Sequence, residues 1–455
     1  MRFAKRDIYT KASSVPQLKF EDQQLTSYAG IVVFQKLFAK LHLRERIRGA
    51  CAHLGERNLY HPGVIVQVLV VHLLLGFRKL RDVEFYDDDP LVQRVLGLKV
   101  IPSVSTIART LSEFDDRAVE AHHELNRTQV TERLQKLQIR RVTVDFDGSV
   151  SSTQKHAEGS AVGFNKQKKG ARSYYPLFCT IAQTGQVFDV LHRSGNVHDS
   201  RGAVAFVRQC VDRIRAALPG AVIEIRMDSA FFSDEMVDLL DGLDVQFTIS
   251  VPFERFTELK GMVYGRQRWR WATVDGRLRY FEKTWKPKCW TRSYRFIFIR
   301  STTEGQQKGP IQLDLFEPTE PGFDFKVIVT NKTAWAMKVV RFHEGRGQQE
   351  HIFAELKTQT NMDYVPSRSW AGNKIYLLCA MIAHNLAKEL QMDANQPRRG
   401  TTERRQPLWI FEGLDIMRRK FIQRAGRLTR TNGAVTLTMS ANRAVQEAIE
   451  SYLAA

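Results

Sequence analysis

The sequence predicts an α/β protein in which a mixed-sheet core carries an inserted β subdomain and is flanked by helical amino- and carboxyl-terminal regions. Three observations predict it. Apolar residues recur at three-and-four spacing before residue 138 and again after residue 336, the period of helices packed on one face. From Arg140 short β-rich runs are separated by turn residues, and strands then alternate with helices, as in a mixed sheet covered by helices. A second β-rich stretch, 254–335, interrupts that alternation. The expected segments are 1–138, 139–253, 254–335, 336–395 and 396–455.

In the first segment the apolar stripe runs through Val64, Val68, Val71 and Leu75, then through Leu111, Phe114 and Val119. Pro102 and Ser103 suit a helix entry. The helix that follows carries Arg109 and reads either as the second helix of a helix-turn-helix on DNA or as a structural helix. The core opens with strands at 141–147, 177–182 and 186–191, the last two joined at Thr184-Gly185. A helix from Ser200 to Leu218, a strand at 221–228, a helix from Ser233 to about Leu240 and a strand at 245–251 follow.

In the second β-rich stretch strands are expected near 267–274, 277–283, 294–300 and 325–330, with Asp275-Gly276 as a tight turn. Alternation puts Arg266, Arg268 and Arg270 on one face and Trp269 and Trp271 on the other. That basic face reads as a ribbon for a phosphate backbone or as an ordinary solvated face. Helices are expected again at 348–358, 376–390 and through 398–430. The last of these carries ten Lys/Arg against three acids, and Arg418, Arg419 and Lys420 look like a phosphate-binding patch.

Charge narrows the function. The 455 residues hold 68 Lys+Arg and 49 Asp+Glu, a net +19. Such an excess opposes compaction and points to a polyanionic partner, nucleic acid first. Five scattered cysteines with no C-x-x-C pair argue against a disulfide framework and a zinc module. The most apolar run, Val64 to Phe77, is short of the roughly 20 residues that span a bilayer, and the first residues lack a signal-peptide apolar core. A cytoplasmic protein with no membrane partner is expected.

Three elements carry chemistry. In Val142-Thr-Val-Asp145-Phe-Asp147 alternation sends both aspartates to one side of a strand, where a carboxylate needs a compensating cation. The strand ending at Met227-Asp228 delivers another acid at a carboxyl end, the ligand-binding edge of open α/β sheets; Asp228 also fits a simple helix entry. In the stretch from Phe342 to Lys357, a helical wheel with Arg346 at zero puts Glu350 at about 40°, Lys357 at about 20° and His343 at about 60°. These four share one stripe. Glu344 and Glu355 fall opposite it and are expected to face solvent. An i,i+4 surface pair of Arg346 with Glu350 is the plainer reading.

Together these elements resemble the DDE transposases of bacterial insertion sequences. Near the third acid that family shows Tyr-x2-Arg-x3-Glu-x6-Lys, and this chain has His343, Arg346, Glu350 and Lys357 at that spacing, with histidine for tyrosine. Asp147-Gly148-Ser149 resembles the first-acid strand, which favours Asp147 over Asp145, and Asp228-Ser-Ala-Phe-Phe resembles the second. Asn331 to Trp335 resembles the exit from the family's β insertion.

The resemblance implies an RNase H-like catalytic core that cuts and joins DNA at terminal inverted repeats. Asp147, Asp228 and Glu350 would be the catalytic acids and metal ligands. Hard oxygen donors favour Mg²⁺, with Mn²⁺ able to substitute, because two divalent ions stabilise the attacking and leaving oxygens of an in-line phosphoryl transfer. His343, Arg346, Lys357, Trp335, Arg418, Arg419 and Lys420 would contact DNA, Trp335 by stacking on a base unless it is simply core. Pairing of two transposon ends and target DNA implies a homodimer on double-stranded DNA. Gly345 and Gly347 weaken a helix around Arg346, so the helix is expected to begin near Gln348, with His343 in a loop. The alternatives are an RNase H-like nuclease or resolvase without strand transfer, and a transposase-derived DNA-binding protein.

Overall fold

A computed structural model describes residues 15–455 apart from 22, 56–58, 154–155, 164, 166–167, 198–200, 274–276, 289 and 303–322. The Asp275-Gly276 turn and the expected helix start at Ser200 therefore lie outside the described residues. No helix among those described is long and apolar enough to cross a membrane.

The core strands form where alternation placed them: β1 (Arg141–Gly148), β2 (Leu177–Ile181), β3 (Gln186–Leu191), β4 (Val222–Met227) and β5 (Gln246–Ser250). Helices α1 (Pro62–Leu75), α2 (Val104–Glu113) and α3 (Asp116–Lys136) precede them; α4 (Ala203–Ala217) and α5 (Asp234–Gly242) lie between β3 and β5. Strands β1, β2 and β3 are consecutively antiparallel, whereas β4 runs parallel to β1 and β5 parallel to β4. The order β3-β2-β1-β4-β5 is that of an RNase H-like core.

The second β-rich stretch is continuous with the core sheet. Its strands β6 (Arg270–Trp271), β7 (Leu278–Trp285), β8 (Tyr294–Thr302) and β9 (Phe323–Thr330) extend the same sheet to nine strands, because β9 pairs antiparallel with β5 at Ile328–Thr330. Alternation in β9 explains the continuity. Val327 and Val329 enter the core under α4 and α5, and Ile328 packs on the opposite face against α6 (Ala336–Glu344). The expected strand 267–274 shrinks to β6. Trp269 is buried beneath Arg300, while Trp271 is exposed and covered by Arg279 at 4.4 Å.

The helical regions on either side of the sheet pack together. Helices α7 (Gln348–Gln359) and α8 (Trp370–Ala394) share one apolar core with α1, α2 and residues near the carboxyl terminus. The end of the chain is not helical through 398–430, since Pro397, Gly400, Pro407 and Gly413 interrupt it. Instead β10 (Gly426–Thr431) and β11 (Ala434–Met439) make a hairpin. Asn432 (φ 50°) and Gly433 (φ 82°) supply the left-handed pair that such a turn requires. Leu25 and Thr26 add a third strand beside β10, and α9 (Arg443–Ala454) packs on α8.

Candidate active site

The two faces of the core sheet differ. Val142, Val144, Phe146, Ile223, Ile225 and Met227 point into an apolar core under α4 and α5. On the other face β1 and β4 present Thr143, Asp145, Glu224 and Arg226, all fully buried. Buried polar groups must find partners, and here they do. Arg226 donates to both carboxylate oxygens of Asp145, at 2.5 and 2.7 Å, and to the carbonyls of Phe342 (3.0 Å) and Arg404 (2.7 Å). Asp145 is thus held by a fixed internal cation, which leaves Asp147 as the acid at the edge.

Register brings the second acid to it. Asp145 stands opposite Arg226 and Phe146 opposite Met227 across the parallel pair. One step further Asp147 lies alongside Asp228, whose backbone remains extended (φ −82°, ψ −176°). Both side chains therefore leave the sheet on the same face. One oxygen of Asp147 accepts from the Gly148 amide (2.7 Å) and the other pairs with Arg346 (3.0 Å). Asp228 caps the short turn Ser229–Phe231 by accepting from the Ala230 amide (3.0 Å). The Tyr175 ring covers Gly148 so closely that a Cβ there would stand 2.6 Å from its hydroxyl.

Helix α7 and the turn that precedes it dock on this edge. Arg346 reaches Asp147, buried Gln349 donates to the Asp145 carbonyl (3.1 Å), and Phe353 rests on Phe178 with ring centroids 5.2 Å apart. Phe178 is the register partner of Asp147 on β2. Glu350 follows Gln349 in the first turn of α7; it is exposed and forms no ion pair with a described residue, Arg346 included. Lys357 is half-buried, and burial lowers its ammonium pKa against the opposing charge of Asp363.

Several expectations require correction. Helix α7 begins at Gln348, as expected, but α6 leads into it directly through a single 3-10 turn, Gly345–Gly347. Gly345 is needed there for close approach, because a Cβ would stand 1.9 Å from the Arg404 carbonyl and 2.1 Å from an Arg226 nitrogen. His343 accordingly lies in α6, not in a loop, and faces β5 rather than a phosphate-binding surface. Its ring nitrogens meet the hydroxyls of Thr248 (3.0 Å) and Ser250 (2.8 Å). Burial, with the nearby charges of Arg346, Arg226 and Lys326, pushes its pKa down to about 3, so the ring is neutral.

Glu355 does not face solvent freely either: it pairs with the buried ammonium of Lys388 at 2.7 Å. Glu344 is exposed, as expected, and pairs with Arg404.

Arg418 is not part of a phosphate patch. It is buried and donates to the carbonyls of Leu74 (2.8 Å), Leu73 (2.6 Å) and Gln359 (2.5 Å), and burial lowers its pKa to about 10. The last carbonyls of a helix lack intrahelical partners, and Arg418 satisfies two of them at the end of α1. Arg419 and Lys420 remain at the surface, paired with Asp415 and Glu412. Trp335 precedes α6 with its ring half-exposed and its indole nitrogen donating to the Tyr280 hydroxyl at 3.0 Å. The structural roles of Arg226 and Gln349 were not read from sequence; an arginine inside an apolar strand run, Val222 to Met227, was the available signal for the first.

The donor chemistry at this edge suits a divalent ion: two adjacent carboxylates, with a guanidinium already supplying positive charge to one of them. Among the described residues, however, no three His, Cys, Asp or Glu side chains gather closely enough to hold a metal. The structure thus brings together Asp147, Asp228 and Arg346, and sets Glu350 on the helix docked beside them without drawing its carboxylate into their cluster.

The family described as transposase DDE domain group 1 matches residues 10–455. No curated protein matches the chain. Among solved structures it is similar to the piggyBac transposase synaptic complex with hairpin DNA, at 10% identity and a TM-score of 0.47 over 86% of this chain and 79% of that one. It is also similar to the Mos1 transposase paired-end complex with left transposon end, at 10% identity and a TM-score of 0.19 over 37% and 56%.

Proposed function

The chain belongs to the transposase DDE domain group 1 family, a family of DNA cleavage and strand-transfer enzymes, and from that premise we propose that Asp147, Asp228 and Glu350 are its catalytic acids. The observation that carries the assignment is the side-by-side emergence of Asp147 and Asp228 at the carboxyl ends of neighbouring parallel strands, with the helix bearing Glu350 docked on them. Transposases of this family use divalent metal ions; we assign Mg²⁺, with Mn²⁺ as substitute, held by these three carboxylates. Such an ion supplies positive charge to the oxygens on which negative charge builds during phosphoryl transfer.

The chain's own residues have distinct parts. Asp145 and Arg226 fix the height of β1 against β4. Gln349 and Phe353 fix α7, and free rotation of the exposed Glu350 side chain brings it toward the aspartates. Arg346 exchanges Asp147 for a DNA phosphate, and Lys357 holds a second phosphate. His343, neutral and bonded to two hydroxyls of β5, positions α6. The substrate is double-stranded DNA bearing terminal inverted repeats, joined to target DNA by a homodimer that pairs two ends in the cytoplasm. Trp335, Arg419 and Lys420 are surface contacts to that DNA.

The test is cleavage of an end-containing duplex in Mg²⁺. Asp147→Asn, Asp228→Asn and Glu350→Gln each abolish cleavage while a gel shift on the same duplex persists; a variant that still cleaves removes its residue from the site. A strand-transfer assay with precleaved ends then separates joining from hydrolysis alone.

A further inference from the structure

The polar face that ends at Asp147 and Asp228 begins, at the other end of the same strands, in a second cluster. Glu224 lies four residues before Asp228 on β4, about 13 Å away at ~3.3 Å per strand residue. Its carboxylate is fully buried and receives Arg141 (3.0 Å), Lys332 (2.5 Å), Arg405 (2.9 Å) and the Thr143 hydroxyl (3.0 Å). Burial alone would raise its pKa, yet Arg405 and Lys332 outweigh this and hold it at about 2. Three cations thus converge on one negative charge.

These groups line an open cavity of about 400 Å³, which Lys338 and Glu403 also border. Lys338 is exposed on the first turn of α6 and makes no ion pair with a described residue. Glu403 is engaged by Arg341 at 2.9 Å. With Arg341 counted beside its partner Glu403, five cations face two carboxylates, a surplus of three positive charges in a partly desolvated pocket. Lys332 is crowded enough that burial and its cationic neighbours lower its pKa. Arg405 reaches into the cluster from a left-handed backbone (φ 52°), a conformation that non-glycine residues keep where surrounding contacts over-determine it. Glu224 alone could be satisfied by one arginine; the additional cations and the cavity are what an internal ion pair leaves unexplained.

We propose that this pocket binds a phosphate monoester, whose charge of about −2 near neutral pH the surplus offsets. A free nucleotide and the 5′-phosphate end of a DNA strand share that chemistry.

The experiment is calorimetric titration of the full chain with adenosine 5′-monophosphate and with a 5′-phosphorylated single-stranded oligonucleotide, each against its unphosphorylated counterpart. At least one phosphorylated probe should bind more tightly than its counterpart at one site per chain, and Lys338→Ala should weaken that binding about tenfold with unchanged melting. Preference confined to the nucleotide identifies a small-molecule ligand, and preference confined to the oligonucleotide identifies a DNA end. Equal binding of phosphorylated and unphosphorylated probes, or undiminished affinity in Lys338→Ala, overturns the proposal.

Discussion

Arg418→Ala separates a structural arginine from a DNA-binding one. The guanidinium is buried and satisfies three backbone carbonyls, those of Leu73, Leu74 and Gln359. Truncation leaves these acceptors in an apolar setting that water reaches poorly and opens a cavity beside α1. A buried acceptor without a partner costs roughly 1–3 kcal/mol, and partial relaxation of the three together suggests a loss of about 3–5 kcal/mol. Urea titration followed by far-ultraviolet circular dichroism reads that loss, and a gel shift across a salt series reads DNA contact. Arg418→Ala should lower the denaturation midpoint without changing the slope of log affinity against log salt. Arg419→Ala, at the surface, should change stability by at most ~0.5 kcal/mol and, where the side chain meets a phosphate, reduce that slope by about 0.9. An Arg418→Ala protein of wild-type stability with a shallower salt slope would refute the structural assignment.

Two further outcomes follow from burial and close packing. His72 is buried against Tyr86, and burial lowers its pKa from 6.5 to about 4. Its unfolded form takes up a proton before its folded form does, so the associated stability is present above about pH 6.5 and is lost as pH falls toward 4. That contribution is on the order of 3 kcal/mol, and His72→Leu should flatten the dependence of unfolding free energy on pH across the window; an unchanged slope would show that His72 titrates normally. Gly345→Ala should destabilise the chain by about 1–3 kcal/mol and impair cleavage, although alanine favours helix by ~1 kcal/mol, because the new methyl group collides with the Arg404 carbonyl and Arg226. Thermal melting checks it, and a stabilised variant would contradict the packing described.

Local pattern located the five core strands and the register of the acids within them, since period-two alternation is a property of neighbouring residues. The same pattern marked Asp145 and Asp147 as equivalent. What distinguishes them is Arg226, 81 residues away, and no local signal shows that it is consumed by one aspartate and not the other. Alternating polar residues in β1 and β4 look like a solvated face, yet helices from beyond residue 335 cover them. The wheel put His343, Arg346 and Glu350 on one stripe, but tertiary contacts divide that stripe among β5, Asp147 and solvent. The run at 398–430 carries its net charge on turns and a hairpin and not on one helix; Asn432-Gly433, between two stretches rich in Thr, Val and Leu, is the stronger local signal. Arg418 shows the same limit, since a basic triplet does not reveal which member points inward.

The pairing of Leu25 and Thr26 with Arg427 and Gly426 joins points some four hundred residues apart. Topology of that kind is completed late, because distant segments must meet before their contacts stabilise either one. A polypeptide still emerging from the ribosome can assemble β1 and β4 while α7 and α8 are not yet synthesised. It would then display two aspartates on an uncovered sheet and lack the helix that carries Glu350, so an interrupted translation product should be unable to nick chromosomal DNA.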